Sequence, residues 1–430
     1  MIELENSKKV LYDPSVSAEE RLDALKNVYY MHLSGISLMP ERTNFVNNHI
    51  HTTYSFSPYT PAAAAYEAWK AGLSTAGIMD HDSVGGAKEF LSAAKILDLP
   101  VTVGCELRVS VEGTRLLGKR LNNPDQLSCA YVAIHGIPHQ CIDDLESVLC
   151  QKRALRNERN RKICDKLTDL AWPYGIKISF DDEVLPLSMY DRGGSVTERH
   201  VLFALVKKIT EGRSREEAVD LYEKISESPL SEKKKASLID APARFFQYDL
   251  LGVMKSSLLE KIYIDADDEL LNIKDFVNLT SMIGAISAYA YLGDVGESPT
   301  GDKKAQKFED DYLNMLFDEL ETIGFNAVTY MPSRNTPEQL QRVMRLCREH
   351  DLFQISGEDI NQPRQSFVCE ALAKPEFKHL RKATFALIGH EISATRDIND
   401  SMFSAKNKRH PLDMRIDYYS SIAKNEKERI

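Results

Sequence analysis

The sequence lacks several features that mark specialised classes of protein. None of its seven cysteines belongs to a CxxC pair, and a scattered, odd number of cysteines favours reduced thiols over a disulfide framework. No segment approaches the roughly 18 apolar residues that a membrane-spanning helix needs. The first ten residues, MIELENSKKV, contain no apolar stretch typical of a signal peptide. We therefore expect a soluble, cytoplasmic protein with no membrane partner.

Clustered positive charge is also absent. The 430 residues include 54 Lys and Arg against 64 Asp and Glu, which gives a formal net charge of −10. A groove for long nucleic acid needs clustered basic side chains, so the composition argues against that class of partner. A small phosphorylated substrate remains compatible with this charge. The oligomeric state is left open.

Short apolar runs alternate with helix-like segments over residues 45–141 and again over residues 276–365. The segment PAAAAYEAWKAG starts with Pro61 and stops at Gly72, as a helix does. PVTVGCE is rich in the β-branched residues that strands favour. Four strand signals precede residue 142 and three follow residue 275. This rhythm predicts an α/β fold with a parallel sheet, which a barrel would close.

Three further regions differ from this alternation. Residues 142–275 are mostly helical and charged in pattern, which predicts a helical insertion. Residues 1–44 contain SVSAEERLDALKNVYYMHLSG, which is typical of one capped helix and predicts an N-terminal helical extension. We interpret residues 366–430 as a C-terminal extension.

Metal-competent side chains stand at the ends of five predicted strands. Each alone is more often a structural residue, so the prediction depends on their recurrence. His49 and His51 are two apart and point to the same side of a strand, and parallel barrel strands end on one face. Imidazole and carboxylate ligands together suit zinc, manganese or iron. The candidates are His49, His51, Asp80, His81, Asp82, Glu106, His135, Glu358 and Asp359.

The order of motifs resembles the PHP superfamily, named for polymerase and histidinol phosphatase, and in particular its phosphoesterase-like members. The motifs are HIHTTYS, MDHD, GCE, AIHG, TERHVLFALVKK, VTYMPSRNTPEQ and SGEDINQP, in that order, over roughly residues 45–370. The resemblance implies a distorted seven-stranded (β/α) barrel of PHP type with a helical insertion. It also implies up to three metal ions and the hydrolysis of phosphoesters.

Carried over residue by residue, the resemblance implies an intact first metal site and an incomplete second one. The first site would be formed by His49, His51, Glu106 and Asp359. The second would share Glu106 and add His135. The family's remaining histidine ligand for that site falls at or beside Tyr289 here.

The third family site is the one that this sequence departs from. His81 is present, but Phe56 or Ser57 stands where the family has an acidic or histidine ligand, and Asn361 replaces a histidine. The resemblance therefore implies a partly degenerate centre with one or two divalent ions (Zn, Mn or Fe) and an empty third site.

These residues predict a metal-dependent phosphoesterase that hydrolyses a small phosphorylated metabolite or nucleotide with metal-activated water. His81 would protonate the leaving oxygen, with Asp80 or Asp82 orienting it. Arg199 and His200 would contact the substrate phosphate. His200 is equally interpreted as a helix N-terminal residue of the insertion.

Two alternatives stay open. A degenerate relative could bind metal and ligand without turnover, which the loss of third-site ligands favours. A barrel amidohydrolase would use the same metal chemistry for hydrolysis at carbon.

Overall fold

The computed structural model describes residues 2–296 and 306–427 and places seven strands in a nearly closed barrel. Their order around the barrel is β1-β2-β3-β4-β6-β7-β8, and the short β5 pairs with β3. Ile50 bridges in parallel to Ile360, beyond β8, which brings the two ends of the sheet together. The predicted seven-stranded barrel is confirmed. The strands are β1 (Val46–Ile50), β2 (Thr75–His81), β3 (Val101–Ser110), β4 (Cys129–His135), β5 (Leu271–Asn272), β6 (Ile286–Ala290), β7 (Ala327–Tyr330) and β8 (Phe353–Ser356).

β4 runs against its neighbours. It pairs antiparallel with both β3 and β6, whereas the other barrel neighbours pair parallel. The expectation of a wholly parallel sheet is therefore wrong at this strand. His135, at the carboxyl end of β4, pairs in register with Gly104 rather than with Glu106. Since residues two apart share a face of a strand, His135 lies on the same face as Glu106, one residue pair deeper in the barrel.

The helices cover the barrel and extend it. Ser17 and Glu20 form a capping box at the start of α2, and Pro61 occupies the first turn of α3. No helix of residues 2–296 and 306–427 is long and apolar enough to cross a membrane. The helices are α1 (Ile2–Leu11), α2 (Ala18–Leu33), α3 (Pro61–Lys70), α4 (Ala87–Ile96), α5 (Ile142–Ala171), α6 (Glu198–Thr210), α7 (Arg215–Ser226), α8 (Glu232–Ile239), α9 (Ala243–Ile262), α10 (Ile273–Met282), α11 (Leu313–Ile323), α12 (Pro337–Glu349), α13 (Lys378–Arg396) and α14 (Leu412–Lys427).

Helices α5 to α9 pack around a cluster of buried apolar side chains that is separate from the barrel core. Phe56, from the loop after β1, belongs to this cluster. Its ring lies 5.5 Å from that of Phe203 on α6 and 6.1 Å from that of Tyr248 on α9. The helical region is thus attached directly to the loop that follows the first histidine pair.

A buried charge network joins the helical region to the barrel. Glu198 accepts from Arg159 at 2.7 Å and from Arg108 at 3.2 Å. Four guanidinium groups and four carboxylates take part, so the network is balanced in charge, as buried ions must be. The members are Arg108, Arg153, Arg156, Arg159, Asp82, Glu146, Glu198 and Glu269.

Glu309, before α11, is a buried carboxyl with a consequence for stability. Its Oε1 accepts from the Leu292 N–H at 2.8 Å, while its Oε2 has no hydrogen-bond partner among the described residues. Burial raises the pKa of Glu309 to about 7. The folded state therefore holds this proton more tightly than the unfolded state does. We expect stability to fall as the pH rises from 4.5 to about 7.

Glu309→Gln, which cannot ionise, should isolate this effect. The free energy of unfolding of the variant, minus that of the wild type, should grow by about 3 kcal/mol between pH 4.5 and pH 8. Urea unfolding at both pH values measures it. Glu338→Gln on the exposed face of α12 is the matched surface control. A difference that stays flat with pH would contradict the assignment.

Candidate metal centre

His49 and His51 converge at the end of β1. Their Nε2 atoms lie 3.1 Å apart, and both side chains are buried. The register of β1 against β2 shifts between Asn47 and Ile50, next to the histidine pair. Two N–H groups cannot face each other at this distance, so at least one nitrogen presents a lone pair. Converging imidazole lone pairs are what a metal cation binds.

Two carboxylates complete this convergence. Glu106 Oε2 lies 3.7 Å from His49 Nε2, and Asp359 Oδ1 lies 3.1 Å from His51 Nε2. Ligand atoms of His49, His51 and Glu106 all lie within 4.8 Å of one another. The donor set, two imidazole nitrogens with carboxylate oxygens, therefore fits a divalent cation. These four residues are the ones that the resemblance implies for the first metal site.

The local charges keep both carboxylates ionised. Burial raises the pKa of Glu106, but the neighbouring His81 and His49 outweigh burial and hold the pKa at about 2. Burial likewise opposes ionisation of Asp359, whose pKa is held well below its usual range by the hydrogen bond and charge of His51. Glu106 in turn raises the pKa of His49 against the effect of burial. The two carboxylates therefore carry negative charge beside the imidazoles.

His135 stands apart from this group. Neither of its ring nitrogens has a hydrogen-bond partner among the described residues, and burial lowers its pKa to about 3. A neutral, buried and unpaired imidazole has a free lone pair, which suits a ligand of a second ion.

Tyr289 does not stand beside that second position. It pairs with Val132 and packs in the core between the barrel and the outer helices, whereas Ala288 pairs with Ala133 and packs in the barrel interior. Of the two placements left open, at or beside Tyr289, the structure favours the one beside it, because the alternation of β6 turns the Tyr289 side chain outward. The inward position holds alanine, which provides no ligand atom.

The Asp80 carboxylate accepts hydrogen bonds from the loop after β1 and, within the described residues, none from His81. Its oxygens accept from the Thr52 N–H at 2.7 Å, the Thr52 hydroxyl at 2.6 Å and the Ser55 hydroxyl at 2.6 Å. Ser55 Oγ lies 3.2 Å from His51 Nδ1. The prediction that Asp80 orients His81 is therefore replaced by a role through Ser55 on His51. Such outer contacts fix the orientation of a ligating imidazole.

We expect Asp80→Ala to weaken metal binding without removing a ligand. The loss of three accepted hydrogen bonds frees Ser55, so the affinity for Zn²⁺ should fall about 10- to 100-fold. Competition with a chromophoric chelator measures this change. Asp275→Ala, at an exposed position on α10, is the matched control. Unchanged affinity in the folded Asp80 variant would rule out the role on His51.

His81 belongs to the cluster but keeps one nitrogen free. Its Nδ1 lies 3.0 Å from Glu106 Oε2, and its ring centroid lies 4.6 Å from that of His51. Its Nε2 has no hydrogen bond within the described part of the chain. Burial lowers the pKa of His81 well below its usual value. Asp82, the other residue proposed to orient His81, instead forms an ion pair with Arg156.

The His200 side chain contacts the start of its own helix, α6. Its Nδ1 accepts from the Thr197 N–H at 2.9 Å in the capping box of α6. Burial, with Arg156 and Arg199 nearby, lowers its pKa to about 3, and a hydrogen bond with the Ser55 backbone opposes that shift. Nδ1 is thereby engaged within the α6 capping box, and the catalytic or substrate-binding role of His200 stays a prediction. The alternative, a helix N-terminal residue of the helical region, fits these contacts.

Arg199 remains available to a ligand. It makes no hydrogen bond or ion pair among residues 2–296 and 306–427, yet its charge lowers the pKa of both Asp359 and Lys255. Arg334, whose Nε also lacks a partner among them, feels the charge of Asp359 as well. Lys255 and Arg334 were missed from the sequence. Lys255 lies in the charged helical region, and Arg334 lies in the motif VTYMPSRNTPEQ, where its spacing did not mark it as a site residue. Only the tertiary fold brings the two charges near Asp359.

Phe56 and Asn361, which stand where the family has third-site ligands, both contact other side chains of the protein. The Phe56 ring packs edge-on against His200 at 5.1 Å. The Asn361 amide donates to Asp359 Oδ1 at 2.6 Å. Both side chains are therefore engaged with neighbours, in agreement with the expectation of a partly degenerate centre.

Fold and site together define a barrel protein with a histidine–carboxylate cluster at the ends of its first strands. The family model of the PHP domain matches residues 47–278, more than half of the chain. The chain belongs to the PHP domain family.

Two solved structures are similar to this chain, and the first of them shares its fold. A proposed metal-dependent phosphoesterase from Bifidobacterium adolescentis is 18% identical, with a TM-score of 0.50 over 76% of this chain and 93% of that chain. An amidohydrolase from Chromobacterium violaceum, solved with sulfate and no metal, is 15% identical, with a TM-score of 0.49 over 79% of this chain and 96% of that chain. No curated protein sequence matches this chain.

Proposed function

We propose that the chain is a metal-dependent hydrolase that cleaves phosphoesters of a small metabolite or nucleotide. The observation that carries the proposal is the convergence of ligand atoms of His49, His51 and Glu106 within 4.8 Å. Arg199, whose charge acts on Asp359, makes no ion pair within residues 2–296 and 306–427. Membership of the PHP domain family supports the proposal. The similar Bifidobacterium protein also bears the name of a metal-dependent phosphoesterase.

The barrel and the helical region would contribute different residues to the site. The barrel, which we place at residues 45–141 and 276–365, contributes the ligands, and the insertion, residues 142–275, contributes Arg199. His49, His51, Glu106 and Asp359 would hold one divalent ion, and His135 would help to hold a second.

A divalent ion supplies charge stabilisation at a phosphoryl oxygen and lowers the pKa of water. Arg199 would pair with the remaining phosphate oxygens, because a guanidinium matches their geometry. Neutral His81 directs its Nδ1–H at Glu106 and has a lone pair at Nε2. It would take a proton at Nε2 from the attacking water and then transfer that proton to the leaving oxygen. Asp80 would keep His51 aligned through Ser55.

Phosphate release by the metal-loaded full chain tests the proposal. The panel should contain phosphomonoesters, nucleotides and phosphodiesters, with N-acyl substrates added for the amidohydrolase alternative. Activity on phosphoesters that a chelator abolishes is the expected result. Release from the N-acyl substrates alone, or from none of the panel, would overturn the proposal.

Arg199→Met should raise KM for the active phosphoester about 10- to 100-fold, since a charge-assisted hydrogen bond to phosphate is lost. kcat and metal content should change much less. Steady-state kinetics with Arg213→Met, an exposed arginine between α6 and α7, as the control measures the change. An unaltered KM would place the phosphate elsewhere.

The alternative of ligand binding without turnover has one observation in its favour. Phe56 and Asn361 fill the third-site positions with side chains that are already engaged. A metal-loaded protein that binds inorganic phosphate but releases none from any ester would favour this alternative.

A further inference from the structure

Arg156 lies between the two parts of the proposed phosphate site. It is a buried residue of α5. Its Nη1 forms an ion pair with Asp82 Oδ2, and its Nη2 lies 3.2 Å from Glu198 Oε2. Asp82 directly follows His81, and Glu198 directly precedes Arg199. The Arg156 guanidinium therefore connects the residue that follows His81 with the residue that precedes Arg199.

We propose that Arg156 is a positioning residue that fixes His81 and Arg199 relative to each other and so determines how tightly a phosphate group is held. This inference rests on the proposed phosphoester chemistry. Arg156 lies outside the cluster of ligand atoms, so its effect would pass through Asp82 and Glu198.

The backbone at Asp82 needs such support. Its φ of 49° lies in the left-handed region, which non-glycine residues adopt at a cost. Its N–H donates to the Glu106 carbonyl at 2.9 Å, and its carbonyl accepts from Arg153 at 3.0 Å. Arg156 adds the contact to the carboxylate. The three contacts together hold the turn immediately after His81.

Arg156 is also the network arginine that reaches both sides. Arg108 and Arg159 contact Glu198 but form no ion pair with Asp82, because their other carboxylate partner is Glu269. The two nitrogens of one planar guanidinium can bind two carboxylates at once, whereas a lysine ammonium is a single point charge. Arg156→Lys should therefore keep the charge and lose the connection.

The inference predicts a specific pattern for Arg156→Lys in the metal-loaded full chain. KM for the active phosphoester and Kd for inorganic phosphate should each rise about tenfold or more, because small displacements of binding groups have large effects. Metal content should stay at the wild-type level, since none of the proposed ligands is altered. Steady-state kinetics, calorimetric titration with inorganic phosphate and elemental analysis provide the three measurements.

Arg161→Lys is the matched control, because Arg161 lies on the same helix in an exposed ion pair with Asp181. If Arg156→Lys does not fold, Asp82→Asn removes the same connection from the other side and should give the same rise. In a folded variant, KM and phosphate Kd within twofold of the wild type would overturn the inference, even if stability fell. If the wild type cleaves no phosphoester, the proposed function fails, whereas the phosphate titration still tests Arg156.

Discussion

Glu106→Gln and His49→Ala should each remove most of the bound metal and lower kcat/KM by about 1,000-fold or more. Glu106 lies between His49 Nε2 and His81 Nδ1, at 3.7 and 3.0 Å. Replacing its carboxylate by an amide keeps the shape of the side chain but removes the negative charge. The converging imidazoles then face a neutral oxygen, which is a weak partner for a divalent cation.

Elemental analysis and phosphate release on the same samples measure both effects together. His350→Gln is the control. His350 directly follows α12 and pairs with Glu321 of α11, outside the cluster. Its metal content and activity should match the wild type. Activity that persists in a metal-free Glu106→Gln protein would show that the reaction takes place elsewhere on the chain.

The barrel could be predicted because its sequence signals are local. Apolar strands, capping residues and Pro61 at a helix start each depend on a few neighbouring residues, and α2 and α3 begin where those signals indicate. The convergence of His49 with His51 follows from their spacing. Glu106 and Asp359 could be added because they follow apolar strand signals in a repeated pattern.

The direction of β4 could not be predicted in this way. The run YVAIH has the same pattern of apolar residues in a parallel and in an antiparallel strand, so direction depends on which neighbours it joins. As a result, the depth of His135 in the barrel was not accessible from the sequence. The same applies to His200, whose ring packs at 5.1 Å against Phe56 from a distant segment.

Glu198→Gln should have the largest effect on stability. Glu198 Oε1 and Oε2 contact three guanidinium groups, and its side chain is 13% exposed. The amide leaves buried positive charge without its partner, which typically reduces the free energy of unfolding by about 3–5 kcal/mol. The three contacting residues are Arg108, Arg156 and Arg159.

The pH dependence of this effect separates lost charge from lost packing. Burial raises the pKa of Glu198, but Arg108 and Arg159 outweigh it and hold the pKa well below its ordinary value of 4.5. The stability that the charge contributes is therefore present above pH 4.5 and is lost as the pH falls towards the folded-state pKa. The difference between wild type and Glu198→Gln should be full at pH 7 and should shrink below pH 4.5.

Urea unfolding of both proteins at pH 7 and at low pH makes this measurement. Asp181→Asn, which breaks the exposed pair with Arg161, is the control and should leave stability unchanged within error. A Glu198 difference that is equally large at both pH values would assign the loss to packing, because a protonated carboxyl and an amide are both neutral. A difference that disappears on acidification would assign it to the charge that Glu198 holds against three arginines.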